Sequence, residues 1–162
     1  RSIHHRRARR KRGRHRNAQE AGMIAVDSSV LIDMLFDGPD AEQSTQTLSD
    51  AAQIGRLALS DVAMAEICSR GDSEQTRKTL ASLGFLFVPT NETAAIRAGE
   101  MSKRYRRNGG NRSRIIADFL IGAHALMQCE GLITYDGGFH RDYFKGLRVI
   151  IPGDPDALPA VH

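Results

Sequence analysis

Five short apolar runs separated by helix-length segments set the limits on this chain's fold. The runs fall at 23–27, 57–60, 85–88, 131–134 and 147–151. Strands joined through helices lie parallel, because the helix carries the chain back to the edge where the first strand began. The helical segments read as 29–37, broken by Gly38-Pro39, and 40–54, ended by Gly55. A third covers 62–69 with Asp61 as its N-cap, and a fourth covers 73–83 and stops at Gly84. A fifth runs to Arg107 behind Asn91 or Thr93 as cap, and a strongly apolar sixth covers 114–128. Residues 135–138 read as a turn, and no internal repeat is present. The expectation is an α/β domain over 23–152, followed by an irregular Pro/Asp-rich tail over 153–162.

With 162 residues, 41% of them hydrophobic, the chain has the size of one domain that builds its own core. No apolar run approaches the ~20 residues that span a bilayer, so no membrane association is expected. Cys68 and Cys129 both sit in apolar helical contexts, which argues against a disulfide framework or a zinc site and for a reducing cytoplasm. The formal charge of +4 hides an asymmetry. Residues 1–22 hold nine basic side chains and one acid; of the chain's 23 and 19 this leaves 14 against 18, net −4, for the rest. An arginine-rich segment with almost no apolar residues is expected to be disordered on its own. It reads either as a nucleic-acid-binding arm or as sequence upstream of a start at Met23.

Four acids occupy unusual places. Asp27 follows the first apolar run, Glu66 lies in the apolar stretch after the second, and Asp136 follows Leu132-Ile133-Thr134. Each has an ordinary explanation: an N-cap for Asp27, a solvated helix face with Arg70 for Glu66, a turn for Asp136. Asp118 interrupts Ile115-Ile116-Ala117-Asp118-Phe119-Leu120-Ile121, where a carboxylate is costly unless it is paired or binds a metal; Arg114 is its candidate partner. The conjunction carries more than any member. In parallel sheets ligands bind beyond the carboxyl ends of strands, and clustered carboxylates repel unless a cation neutralises them. Hard ions such as Mg²⁺ or Mn²⁺ prefer oxygen ligands and promote phosphodiester hydrolysis. His124 and His140 lack partners at zinc-ligand spacing.

These fragments, in this order, resemble the PIN-domain nucleases, in particular the VapC-type ribonuclease toxins of toxin–antitoxin pairs. The resemblance runs from Met23 to about Pro152. It rests on Ile24-Ala25-Val26-Asp27-Ser28-Ser29, Ser60-Asp61-Val62 leading to Ala65-Glu66-Ile67, Ala117-Asp118-Phe119-Leu120-Ile121-Gly122-Ala123-His124-Ala125, and Thr134-Tyr135-Asp136-Gly137-Gly138-Phe139. It implies a three-layer sandwich with a central parallel sheet of about four to five strands flanked by helices. It also implies divalent-metal-dependent cleavage of RNA to 5′-phosphate and 3′-hydroxyl ends, a VapB-type antitoxin as partner, and a homodimer. By that resemblance Asp27, Glu66, Asp118 and Asp136 hold Mg²⁺ or Mn²⁺, and the Ser29 and Thr134 hydroxyls support them. One departure stands out: many relatives carry a further Asp two residues past the last acid, where this chain has Gly138. That puts a second metal ion in question.

The basic residues Lys103, Arg104, Arg106, Arg107, Arg112 and Arg114 precede the apolar helix. They read as a solvated helix end or as a phosphate-guiding rim, with Arg112 and Arg114 the candidates nearest Asp118. Other classes fit less well. A receiver domain wants a paired acid where Ser28-Ser29 stand, a haloacid-dehalogenase-type phosphatase wants Asp at position 29, and no phosphate-binding Gly-rich loop is present. A housekeeping PIN nuclease of RNA processing, or a PIN-like binding module without turnover, are the competing readings.

Overall fold

The computed structural model describes residues 22–111 and 113–158. The expectations for the arginine-rich extension, for Arg112 and for the last four residues of the tail therefore lie outside the described residues. In chain order the elements are β1 (Met23–Val26), α1 (Ser28–Leu35), α2 (Ala41–Ile54), β2 (Arg56–Leu59), α3 (Asp61–Cys68) and α4 (Ser73–Ser82). They continue with β3 (Leu86–Phe87), α5 (Glu92–Arg107), α6 (Ile116–Gln128), β4 (Gly131–Ile133), α7 (Gly137–Tyr143) and β5 (Val149–Ile150). The strands form one sheet in the order β3-β2-β1-β4-β5, parallel throughout. The expected α/β architecture, with five strands, is what forms.

The alternation of side chains along each strand builds the layers. Ile24 and Val26 of β1, Leu57 and Leu59 of β2, Ile133 and Ile150 pack with Val30 and Leu31 of α1, Leu48 of α2, Ile67 of α3 and Leu80 of α4. The intervening Ala25 and Leu132 face the other way, against Ile121 and Ala125 of α6. Beyond α6, Phe119 and Ala123 join Ala94, Ala98 and Met101 of α5 and Phe139 of α7. Burying side chains of the size of Leu31, Leu59, Ile67 and Ile133 contributes roughly 1.5–3 kcal/mol each, and all four have 0–1% exposure. The helical layers on both faces leave only the strand ends open.

The α3 cap, the start of α6 and the helix α7 differ from the sequence expectation, and the choice of cap for α5 is resolved. The cap of α3 is Ser60, whose Oγ accepts from the Ala63 N–H at 3.1 Å. Asp61 is instead turned to the β3–α5 turn, accepting from the Thr90 N–H at 2.9 Å and its hydroxyl at 2.7 Å. Of the two caps considered for α5, Asn91 takes the position, accepting from the Ala94 N–H at 2.9 Å. Helix α6 starts at Ile116, two residues later than expected, so Asp118 lies in its first turn. Residues 137–143 form α7 where only a turn was expected. The Asp-Gly-Gly signal is outweighed there by burial of Phe139 and Phe144, at 7% and 0% exposure.

Candidate active site

In the order β3-β2-β1-β4-β5 the chain fills one side of β1 before crossing to the other, so the topological switch point lies between β1 and β4. Crevices form beyond the carboxyl ends of strands at such points. Asp27 leaves β1 there, and Thr134, Tyr135 and Asp136 leave β4 beside it. The fully buried Thr134 hydroxyl donates to Asp27 Oδ2 at 2.7 Å and accepts from the Asp136 N–H at 3.0 Å. One hydroxyl thus fixes one carboxylate and the backbone that carries another.

Asp27 occupies the N-cap position of α1 without a capping hydrogen bond from its side chain. Its carboxylate is engaged instead by the Thr134 and Ser28 hydroxyls. Burial pushes its carboxyl above the usual range, and the negative charge of Asp118 pushes the same way. Hydrogen bonds from Thr134, the Ser29 backbone N–H and the Ser28 hydroxyl oppose that rise. A buried carboxylate facing a second one is stabilised by a cation.

Glu66 reaches the same end of the sheet from α3. The Ser28 hydroxyl donates to Glu66 Oε2 and lies 3.4 Å from Asp27 Oδ1, so it stands between the two acids. Among the described residues Glu66 makes no ion pair with Arg70. Ser29, the hydroxyl expected beside Asp27, is exposed, and its backbone N–H is what acts on that carboxyl. Helix phase explains the difference. Ser28 lies three residues before the buried Leu31 and shares its inward face.

Asp118 is half-buried in the first turn of α6, and its Oδ2 accepts from the Ile115 N–H at 3.0 Å. An acid there is favoured by the helix N-terminus, which removes much of the burial cost expected of it. Its expected partner looks elsewhere: Arg114 Nη1 donates to Asp136 Oδ2, and the guanidinium carbon lies 4.2 Å from the centre of the Phe139 ring. Asp118 and Asp136 both act electrostatically on Arg114, and the Asp136 hydrogen bond makes its guanidinium still harder to deprotonate. Asp136 itself holds the N-cap position of α7 with no side-chain capping bond.

Two further residues of the site were not singled out from the sequence. Phe139, which follows the expected turn over 135–138, was given no role of its own, yet its ring forms the platform for Arg114. His140 was considered only as a zinc ligand; it is buried, and its Nδ1 has no hydrogen-bond partner among the described residues. Burial lowers its pKa to about 4, against the upward pull of Asp136 and Asp118 and with the downward push of Arg114.

The donor set is all oxygen, the chemistry that suits a hard divalent ion. The acids are not drawn into a closed cage: no group of three His, Cys, Asp or Glu stands close enough to enclose an ion among the described residues. Asp136 is engaged by the Arg114 guanidinium, which supplies it with a positive charge. The residues present thus fit a divalent cation in charge and donor type, with Arg114 as the competing cation.

The profile of the PIN domain matches residues 24–145. Ribonuclease VapC10 of Mycobacterium tuberculosis is 35% identical over 135 residues, spanning 81% of this chain and 96% of the relative. Among solved structures, VapBC2 from Rickettsia felis bound to a promoter DNA fragment superposes with a TM-score of 0.61 at 16% identity, covering 80% of this chain and 98% of that one. A toxin–antitoxin complex from Klebsiella pneumoniae gives 0.56 at 23% identity, covering 80% and 97%. At these identities the structural likeness speaks for the fold.

Proposed function

The chain belongs to the PIN-domain family, and from that premise we propose that it is a divalent-metal-dependent endoribonuclease, the toxin of a VapBC-type pair. The observation that carries the reading is the junction of β1 and β4. There Thr134 ties Asp27 to the Asp136 backbone, the charge of Asp118 acts on Asp27, and Ser28 stands between Asp27 and Glu66. Cleavage of RNA is the activity in the relative's name, and the Klebsiella pneumoniae fold neighbour is a toxin–antitoxin complex.

In this reading Asp27, Glu66, Asp118 and Asp136 would hold Mg²⁺ or Mn²⁺. Bound there, the ion supplies Lewis-acid stabilisation of the charge that develops on the scissile phosphate. Thr134 keeps Asp27 turned into the crevice, and Ser28 together with the Ser29 N–H restrains its second oxygen. Asp118 and Asp27 offer carboxylate oxygens that orient an attacking water toward phosphorus. Arg114 supplies a planar, bidentate donor for phosphate oxygens. Hydrolysis would leave a 5′-phosphate and a 3′-hydroxyl. The antitoxin would be the physiological inhibitor, and the cytoplasm the place of action. Among the described residues no helix is long and apolar enough to cross a membrane.

The test is to incubate the protein, free of antitoxin, with total RNA and Mn²⁺, and to sequence the 5′-phosphate ends. Discrete ends that vanish with EDTA and in Asp118→Asn are expected. Their absence from folded, metal-supplemented protein would refute the activity.

A further inference from the structure

We propose that Arg114 is the resident counter-cation of Asp136, displaced by the divalent ion and thereby released to the RNA phosphate. The inference rests on the reading of the four acids as a metal site, and it concerns what occupies that site beforehand. A guanidinium between two carboxylates and an aromatic face has three reasons to stay where it is. Asp136 bonds it, Asp118 attracts it through space, and Phe139 holds its flat side at 4.2 Å.

None of these holds is strong. The Arg114 and Asp136 side chains are 28% and 40% exposed, so solvent screens the pair. A doubly charged ion attracts Asp136 more strongly than one delocalised positive charge does, and it neutralises Asp118 as well. Once both acids are taken, the guanidinium loses two of its three attachments and keeps the ring.

The arm has somewhere to go. Arg114, bonded to Asp136 on one side, also lines a cavity of about 810 Å³ whose wall includes Ser102, Tyr105, Arg106 and Ile115. Arg106 supplies a second cation to the same wall, which carries no carboxylate among its lining residues. Anchored on Phe139 and freed from Asp136, the guanidinium presents its fork toward that cavity, where a polyanion would enter. The ion and the substrate would then be coupled. Metal loading switches Arg114 from an internal acid to an external phosphate, so the metal-free protein carries its own occlusion.

The experiment compares full-length wild type, Arg114→Ala, Arg114→Lys and Asp27→Asn by Mn²⁺ titration, reading free Mn²⁺ by electron paramagnetic resonance. Circular dichroism checks that each is folded. Removing the competing cation should tighten Mn²⁺ binding roughly 1.5- to five-fold in Arg114→Ala, the range set by a partly exposed ion pair, with Arg114→Lys in between. A second readout needs no variant to fold well. In wild type the Arg114 side-chain N–H resonance should move toward the free-arginine position when Mg²⁺ is added. Equal or weaker Mn²⁺ binding by folded Arg114→Ala, with binding still lost in Asp27→Asn, would overturn the counter-cation and leave the metal site standing. A static Arg114 resonance under saturating Mg²⁺ would overturn it too. Absence of Mn²⁺ binding in wild type would overturn both the site and the exchange.

Discussion

The hydroxyl of Thr134 is bonded to Asp27 Oδ2 at 2.7 Å across the junction of two parallel strands. It is fully buried, and it also accepts from the Asp136 N–H at 3.0 Å. Thr134→Val keeps the volume and removes both bonds. The expected stability loss is about 1–2 kcal/mol, from one lost donor and one orphaned N–H. Cleavage should fall at least about ten-fold, because Asp27 is no longer aimed, and Thr134→Ser should restore most of it. Single-turnover cleavage beside a thermal melt separates the two effects; full activity in Thr134→Val would remove this residue from the site.

Asp27→Asn and Asp118→Asn should each abolish cleavage while the protein remains folded. Asp27 makes a sharper case, because its carboxyl is held above its usual pKa by burial and by Asp118. A carboxyl raised in the folded state disfavours folding wherever pH exceeds its unfolded value. Without metal at neutral pH, Asn should therefore melt no lower than wild type, and with Mn²⁺ it should lose the metal-induced rise in melting temperature. A large destabilisation in EDTA would mean that Asp27 serves the fold rather than the site.

The apolar runs marked the strand ends, so the residues leaving them, Asp27 and Asp136, were legible as a shared crevice. What sequence spacing could not supply was a contact between distant segments. Arg114 lies four residues before Asp118, the natural helical pair, yet it bonds Asp136, 22 residues away, because α6 begins only after it. Helix α7 was hidden by Asp-Gly-Gly, a turn signal that gives way when Phe139 and Phe144 have a core to enter.

Ser28 and Ser29 are a case where helix phase decides. Ser28 is buried and bridges two acids, while the Ser29 side chain is exposed. Ser28→Ala should lower cleavage several-fold through misplacement of Glu66, measured as kcat at saturating metal, and Ser29→Ala should leave it near wild type. The reverse order of effects would reinstate Ser29 as the supporting hydroxyl.

His140 makes folding sensitive to mild acid. Its folded pKa of about 4 lies below the ordinary histidine value of 6.5, so the unfolded chain binds the extra proton first. Stability from this group is complete above pH 6.5 and is lost as pH falls toward 4. Between pH 7 and 5 the loss should reach about 2 kcal/mol. His140→Gln should flatten that part of the curve. Denaturant melts across this range, with and without the substitution, give the comparison, and parallel curves would show that His140 does not titrate on unfolding.

Gly138 stands where many PIN relatives carry a further acid, and its structural setting leaves that position open. It is exposed in the first turn of α7, and a Cβ built there would meet no atom within 4 Å. Asp is also favoured near a helix N-terminus, and replacing a helical Gly removes backbone entropy from the unfolded chain. Gly138→Asp should thus fold at least as stably as wild type. Its added carboxylate lies two residues past Asp136, on the same end of the sheet, so it adds an oxygen donor to a set that is spread rather than closed. Mn²⁺ binding should tighten, or its stoichiometry should rise toward two, in equilibrium titrations of Gly138→Asp against wild type. Unchanged affinity and stoichiometry in the folded variant would mean that this helix turn points its first residues away from the ion, and that Gly138 has no bearing on metal number.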